Sequence, residues 1–230
     1  MRIAKSNVEP TKTSRSERPC IACYAPYTRL LMGVDNQIYF RCLRCAVTFL
    51  DPSMQPDREA ELAHYQTHEN DPSDIGYRAF LSRLANPLLD RLQPSLKGLD
   101  YGCGPGPALA QMMREAGHQV EIYDLFFEPD QRVFDKTYDF ITCTEVAEHF
   151  HHPYEEFRRL NKLLRPGGWL GVMTMFQTDD ALFANWHYRK DPTHVVFYRA
   201  ETMQVIASDL GWTSDIPAKN VALLQKPSLN

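Results

Sequence analysis

The chain has 230 residues, a net charge of −4, 43% hydrophobic and 11% aromatic residues, the composition of an ordinary globular chain with room for one large domain and a small module. No apolar run approaches the roughly 20 residues of a membrane helix, and the longest, Trp169 to Phe176, is strand-sized. The first residues, MRIAKSNVEPTKTSRSERP, lack the apolar centre of a secretory signal, so a cytoplasmic protein without membrane insertion is expected.

The charge is uneven. Residues 1–50 carry eight Lys/Arg against three acids, a local charge of +5, which leaves −9 for the rest. A basic head could touch RNA or an acidic surface. The plainer alternative is a solvated, disordered tail over 1–19, because five of the eight basic residues precede Cys20.

The next segment, 20–50, holds four of the six cysteines as Cys20-x2-Cys23-x18-Cys42-x2-Cys45. Each C-x2-C turn aims two thiolates at one point, and two such turns close a tetrahedron around Zn²⁺. Leu30–Met32 and Gln37–Arg41 read as strands around a Val34–Gln37 turn. A zinc ribbon with a closed, structural metal site is expected. Residues 51–94 read as a helical linker or lid, with a short helix near Arg58–Gln66. A longer one follows at Tyr77–Leu92, where Pro87 should kink or split it.

From residue 95 onward strands and helices alternate. Strands are expected at Gly98–Tyr101, Val120–Tyr123, Tyr138–Cys143, Trp169–Phe176 and Asn220–Gln225. Helices are expected at Pro107–Gly117, Pro153–Leu164 and Arg199–Leu210. The alternation implies an α/β domain with a doubly wound, mostly parallel sheet, whose ligand sits beyond the strand carboxyl ends. Gly102-x-Gly104-x-Gly106 lies between the first strand and helix, where glycine lets backbone approach a ligand. Asp124 ends the second strand, where an acid can accept hydrogen bonds from a ribose diol. Proline at 107 breaks the dinucleotide fingerprint, and no P-loop Gly-Lys-Ser/Thr is present.

These residues resemble the class I S-adenosylmethionine-dependent methyltransferases. Leu99-Asp-Tyr-Gly-Cys-Gly-Pro-Gly106 is similar to their first motif. Asp124 stands in the place of their second-strand acid. Tyr138-Asp-Phe-Ile-Thr-Cys-Thr-Glu-Val-Ala-Glu-His149 is similar to their fourth-strand segment, and Leu164-Arg-Pro-Gly-Gly168 to the turn before strand five. The resemblance covers roughly 95–215 and implies a seven-stranded Rossmann-like sheet with a closing hairpin near Trp212. It implies S-adenosylmethionine held by Asp100, Tyr101, Gly102, Cys103, Gly104, Gly106, Asp124, Leu125, Thr144 and Glu145. Two departures stand out. The third strand, around Arg132–Phe134, is stunted, so the adenine contacts stay unassigned, and Tyr101 is bulky for its position.

Methyl transfer needs alignment and, for a hydroxyl, removal of a proton. His149, His187, Tyr188 and His194 are the base candidates, the last three in the aromatic stretch Trp186–Tyr198. By resemblance to quinone-pathway relatives, Glu145, Glu148 and His149 could hold a divalent metal. The alternative is that Glu148 and His149 cap the next helix and border the cofactor pocket. Cys103 and Cys143 read as packing residues. A small-molecule, sugar or lipid-precursor acceptor, O- or C-methylated, is the leading expectation. A zinc-ribbon-assisted RNA methyltransferase and a non-catalytic cofactor binder are the alternatives.

Overall fold

The computed structural model describes residues 15–16, 18–67 and 71–229. The tail expected over 1–19 falls, but for a few residues, outside them. Strands β1 (Arg15–Ser16), β2 (Thr28–Val34), β3 (Gln37–Cys42) and β4 (Thr48–Leu50) build the front module. The β2–β3 turn carries Asp35 and Asn36 at φ of +53° and +61°, the left-handed pair that matches a two-residue hairpin to strand twist. Helices α1 (Arg58–Tyr65) and α2 (Ile75–Leu89) follow, each capped by an aspartate that accepts a backbone N–H, Asp57 from Ala60 and Asp74 from Tyr77. Pro87 does not split α2, whose Leu81, Leu84 and Leu88 are buried.

The main sheet holds β5 (Lys97–Tyr101), β6 (Gln119–Tyr123), β7 (Tyr138–Thr144), β8 (Leu164–Met173), β10 (Thr213–Ala218) and β11 (Val221–Gln225). The strand order is β10-β11-β8-β7-β5-β6, parallel from β6 to β8 and antiparallel at the closing hairpin. Helices α3 (Ala108–Glu115), α4 (Pro153–Leu163) and α5 (Ala200–Asp209) connect and cover it. This is the doubly wound arrangement expected, with one correction: six strands stand among the described residues rather than seven. Residues 131–135 form a short 3-10 turn instead of a third strand. The thirteen residues between Asp124 and Tyr138 are too few for a crossover of about ten to twelve residues plus a strand.

The front module is not set apart. Strand β9 (Val196–Phe197), from the segment after β8, pairs with β4 and completes the module's sheet as β1-β2-β3-β4-β9. The four cysteines share one buried cluster with Phe183, Tyr188 and Phe197. Arginines of the module are paired with acids, and only Arg41 among them is buried. Arg41 meets Asp180 at 2.5 Å, Arg18 meets Asp51 at 3.0 Å, and Arg44 pairs with Asp209.

Candidate functional site

A pocket of about 970 Å³ opens at the carboxyl ends of β5, β6 and β7. Its floor is the loop after β5. Gly102 has φ +81° and Gly104 φ +64°. A Cβ at Gly102 would sit 2.3 Å from Val146 Cγ2, so glycine there is required twice over, by dihedral and by space. The carboxylate of Asp124 ties loop to strand. One oxygen accepts the Gly104 N–H at 3.0 Å, the other those of Phe126 at 2.8 Å and Phe127 at 3.1 Å. A carboxylate has about four acceptor sites, which leaves capacity for a ligand hydroxyl.

Tyr101, Gly102, Cys103, Gly104, Asp124 and Leu125 line this side of the pocket, with Thr144 and Glu145 opposite. Of the expected cofactor set, Asp100 and Gly106 are not among the residues that line it. Asp100 is buried beneath the loop, where it accepts the Thr142 hydroxyl at 2.7 Å, and burial pushes its carboxyl up to about 6. Gly106 is buried in the turn that starts α3, its carbonyl accepting the Ala108 N–H at 2.7 Å. Burial raises the Cys103 thiol, which stays protonated at the pocket edge. Cys143 is buried packing, as expected.

The opposite wall is an acid–imidazole–phenol cluster. Glu148 is fully buried, and one of its oxygens accepts the Tyr188 hydroxyl at 2.5 Å. Its Oε2 has no partner among the described residues, and neither have Glu145 Oε1 and Thr144 Oγ1. Burial, reinforced by Glu148, raises the Glu145 carboxyl to about 9, and burial raises Glu148 as well. Glu145 also adopts φ +52°, a left-handed backbone at the pocket wall. His194 Nδ1 lies 2.7 Å from the Tyr188 carbonyl, and His149 Nδ1 lies 3.0 Å from the Thr193 carbonyl. A carbonyl only accepts, so both imidazoles carry their proton on Nδ1. The two rings are 4.7 Å apart, and His194 Nε2 is 4.0 Å from Glu148. Burial lowers the pKa of His194, which keeps it neutral near pH 7.

His149, Tyr188 and His194 thus meet at one wall, whereas His187 does not. His187 is exposed, because Tyr188 and Arg189 take the buried positions of the 3-10 turn His187–Lys190. The metal group implied by resemblance also changes. Glu148, His149 and His194 bring ligand atoms within 4.8 Å of one another, and Glu145 is not among them. Neither Glu148 nor His149 caps α4, whose N-cap is His152 without a side-chain hydrogen bond.

The sequence reading named no pocket residue on α1, yet Arg58, Glu61 and Tyr65 line it. Glu61 Oε1 lies 2.9 Å from His151 Nε2, and the Tyr65 ring lies 5.3 Å from that of His149. The signal available was the four-residue spacing of Glu61 and Tyr65, which puts both on one helix face.

Away from the pocket, the Sγ atoms of Cys20 and Cys45, and of Cys23 and Cys42, are 3.7 Å apart. That is too long for a disulfide. It matches the edge of about 3.8 Å in a tetrahedron with Zn–S bonds of about 2.3 Å. Backbone N–H groups of Ala22, Arg44 and Cys45 point at the sulfurs at 3.3–3.4 Å, as thiolate ligands require.

A family model described as a methyltransferase domain matches residues 74–215. The ubiquinone biosynthesis O-methyltransferase of Nitrosospira multiformis is 30% identical over 132 residues, 47% of this chain and 51% of that protein, so the chain spans about half the length of this relative. The 1,6-didemethyltoxoflavin-N1-methyltransferase of Burkholderia thailandensis, solved with 1,6-didemethyltoxoflavin and S-adenosylhomocysteine bound, superposes with a TM-score of 0.52. It is 16% identical, over 82% of this chain and 99% of that one. An O-methyltransferase family protein of the same species gives 0.50 at 19% identity, over 77% of this chain and 64% of that one. At these identities the two structures speak to the fold.

Proposed function

This chain belongs to the methyltransferase domain family, and from that premise we propose that it is an S-adenosylmethionine-dependent methyltransferase that methylates a hydroxyl of a small-molecule acceptor, a sugar or lipid precursor among the candidates. The observation that carries the proposal is one pocket with two unlike walls. The glycine loop and Asp124 form one, and Glu148, His149, Tyr188 and His194 form the other.

The cofactor side suits a cationic ligand. Seven Asp and Glu side chains and two arginines line the pocket; burial holds Glu145 protonated, and the remaining acids still outnumber the arginines, a field to which a sulfonium with its ammonium group is drawn. Tyr101, Gly102, Cys103, Gly104, Asp124 and Leu125 hold the nucleoside and backbone-facing parts. Thr144 and Glu145, with their unpartnered oxygens, face the rest. The acceptor enters against His149, Tyr188 and His194. Neutral His194 takes the hydroxyl proton on Nε2 while the oxygen attacks the methyl group in line. Buried Glu148 then lies close enough to stabilise the imidazolium formed. His194→Asn is expected to lower kcat by about 10²–10⁴-fold, the usual worth of a positioned base. A base works deprotonated, so activity falls as pH drops through the folded pKa. For His194 that limb lies below its ordinary 6.5.

A second reading has its own observation in the Glu148–His149–His194 group, two imidazoles and a carboxylate suited to a divalent ion. Such an ion would acidify a bound hydroxyl. Calorimetric titration with Mn²⁺, repeated on His194→Asn, separates the two: binding lost in the variant supports the metal. Cys20, Cys23, Cys42 and Cys45 would hold one structural Zn²⁺, their closed set leaving no position for catalysis.

The proposal is tested by incubating the full chain with methyl-labelled S-adenosylmethionine and an extract of cells lacking the protein, then separating RNA, protein, lipid and small molecules. Label in the small-molecule or lipid fraction is expected. Label in RNA overturns the acceptor assignment.

A further inference from the structure

We propose that the four-cysteine module is a positioning brace for the acceptor wall, with Asp35 and Arg189 as its clasp and β4–β9 as its hinge plate. The inference rests on the reading of Tyr188 and His194 as acceptor-side groups, and it adds two positioning residues that lie outside the pocket.

The clasp is an ion pair closed across 154 positions of sequence. The Arg189 side chain is only 2% exposed, and its Nη2 donates to Asp35 Oδ2 at 2.6 Å. Its Nη1 reaches Gln37 Oε1 at 3.3 Å and the Tyr39 hydroxyl at 3.4 Å, and its Nε donates to the Ala184 carbonyl at 3.1 Å. Three of these four partners belong to the β2–β3 hairpin of the module. A buried guanidinium without its carboxylate is strongly unfavourable, so the hairpin decides where residue 189 is stable.

Residue 188, its neighbour, transmits that placement. The Tyr188 carbonyl holds His194 Nδ1, and the Tyr188 hydroxyl is held by Glu148. Rings continue the contact from module to pocket: Tyr39 on Phe183 at 5.0 Å, Trp186 on Tyr188 at 5.1 Å, Tyr188 on His194 at 4.1 Å.

The second attachment grips the other side of His194. The Leu50 N–H donates to the Val195 carbonyl at 2.9 Å, and the Val195 N–H donates to the Glu148 carbonyl at 2.9 Å. Val195 is thus strung between the module and the acid of the acceptor wall. Strand β9 has β4 as its sole ladder partner among the described residues. The cofactor wall is built differently. Its loop follows β5, a strand held by β6 and β7 in the other sheet. Loosening the clasp therefore disturbs one wall and spares the other.

Asp35 suits the test. Its side chain is 68% exposed on a surface turn, it does not line the pocket, and asparagine tolerates the same left-handed φ. The experiment compares the full-length protein with Asp35→Asn and Asp35→Glu. It reads hydrogen exchange by segment, S-adenosylhomocysteine affinity by calorimetry, and transfer of labelled methyl to the active extract fraction. Asp35→Asn is expected to speed exchange at residues 187–197 at least tenfold. Exchange at 97–104 should stay unchanged, the S-adenosylhomocysteine Kd should hold within twofold, and kcat should fall at least tenfold. Asp35→Glu should restore protection. Unchanged exchange at 187–197, or an equal rise in every segment, overturns the brace. A selective rise at 187–197 with full methyl transfer upholds the brace and instead removes Tyr188 and His194 from the acceptor wall.

Discussion

Gly102, Asp124 and Asp100 show what single residues contribute to the cofactor wall. Gly102→Ala would place a Cβ 2.3 Å from Val146 in a backbone at φ +81°. The left-handed region alone costs about 1–2 kcal/mol for an L side chain. S-adenosylmethionine affinity should fall at least about tenfold, read by calorimetry. Asp124→Ala removes the carboxylate that accepts three backbone N–H groups as well as a ligand partner. It should weaken cofactor binding by about 1.5–3 kcal/mol and lower the melting temperature as well; unchanged affinity would take Asp124 out of the site. Asp100 bears on pH. Burial raises its carboxyl from 3.8 to about 6. Below pH 3.8 both folded and unfolded chains hold the proton. Between 3.8 and about 6 only the folded chain does, so stability falls as pH rises through that window and then levels off. The loss is on the order of 3 kcal/mol. Asp100→Asn lacks this term. Its melting temperature relative to the parent should rise from pH 4 to about 6.5 and stay constant above, measured by calorimetry across that range.

At the scale of elements, α1 borders the pocket that the main sheet opens, and the front module backs its acceptor segment from outside. The module's hairpin, its β4–β9 ladder and its cysteine cluster form one buried unit with the acceptor segment. Zinc removal should therefore be felt beyond residues 20–50. The protein as isolated should carry one zinc ion per chain, and Cys42→Ser should lose it. Chelation should lower the melting temperature by about 10 °C or more, since 1 kcal/mol shifts a domain of this size by about 2–4 °C and structural zinc contributes several times that. A chelated protein that melts unchanged would make the four cysteines ordinary core residues. Helix α1 is tied over the pocket by two imidazole–carboxylate contacts, His151 on Glu61 and His64 on Asp191 at 3.1 Å.

For the molecule as a whole, charge separates the acceptor classes. Among the described residues, arginines of the basic stretch 1–50 are paired within the fold, Arg18 with Asp51 at 3.0 Å, Arg41 with Asp180 at 2.5 Å and Arg44 with Asp209. The pocket lining is acidic, with seven Asp and Glu side chains to two arginines. A phosphate backbone is attracted by free cations and releases counterions on binding. Titration with single- and double-stranded RNA at low salt should give no saturable binding, and a steep salt-dependent affinity would restore the RNA reading.

Local signals carried the sequence reading as far as local physics reaches. Glycine spacing, the acid at the end of β6, C-x2-C turns and helical periodicity are set within a dozen residues. They located the α/β alternation, the cofactor loop and the four metal-suited cysteines. The side-chain identities at 148, 149, 188 and 194 were legible too, but their grouping was not. Glu148 and His194 meet only because β8 and the segment after it return across the strand ends. His187 fell outside the site because a 3-10 turn, fixed by burial of Tyr188 and Arg189, faces it to solvent. The missing third strand is a matter of chain length between two anchored strands, and the joining of module to domain is a matter of which edge β9 meets. Contacts closed over more than a hundred residues leave no periodicity or spacing behind. Burial of charge and strand pairing in three dimensions decided them.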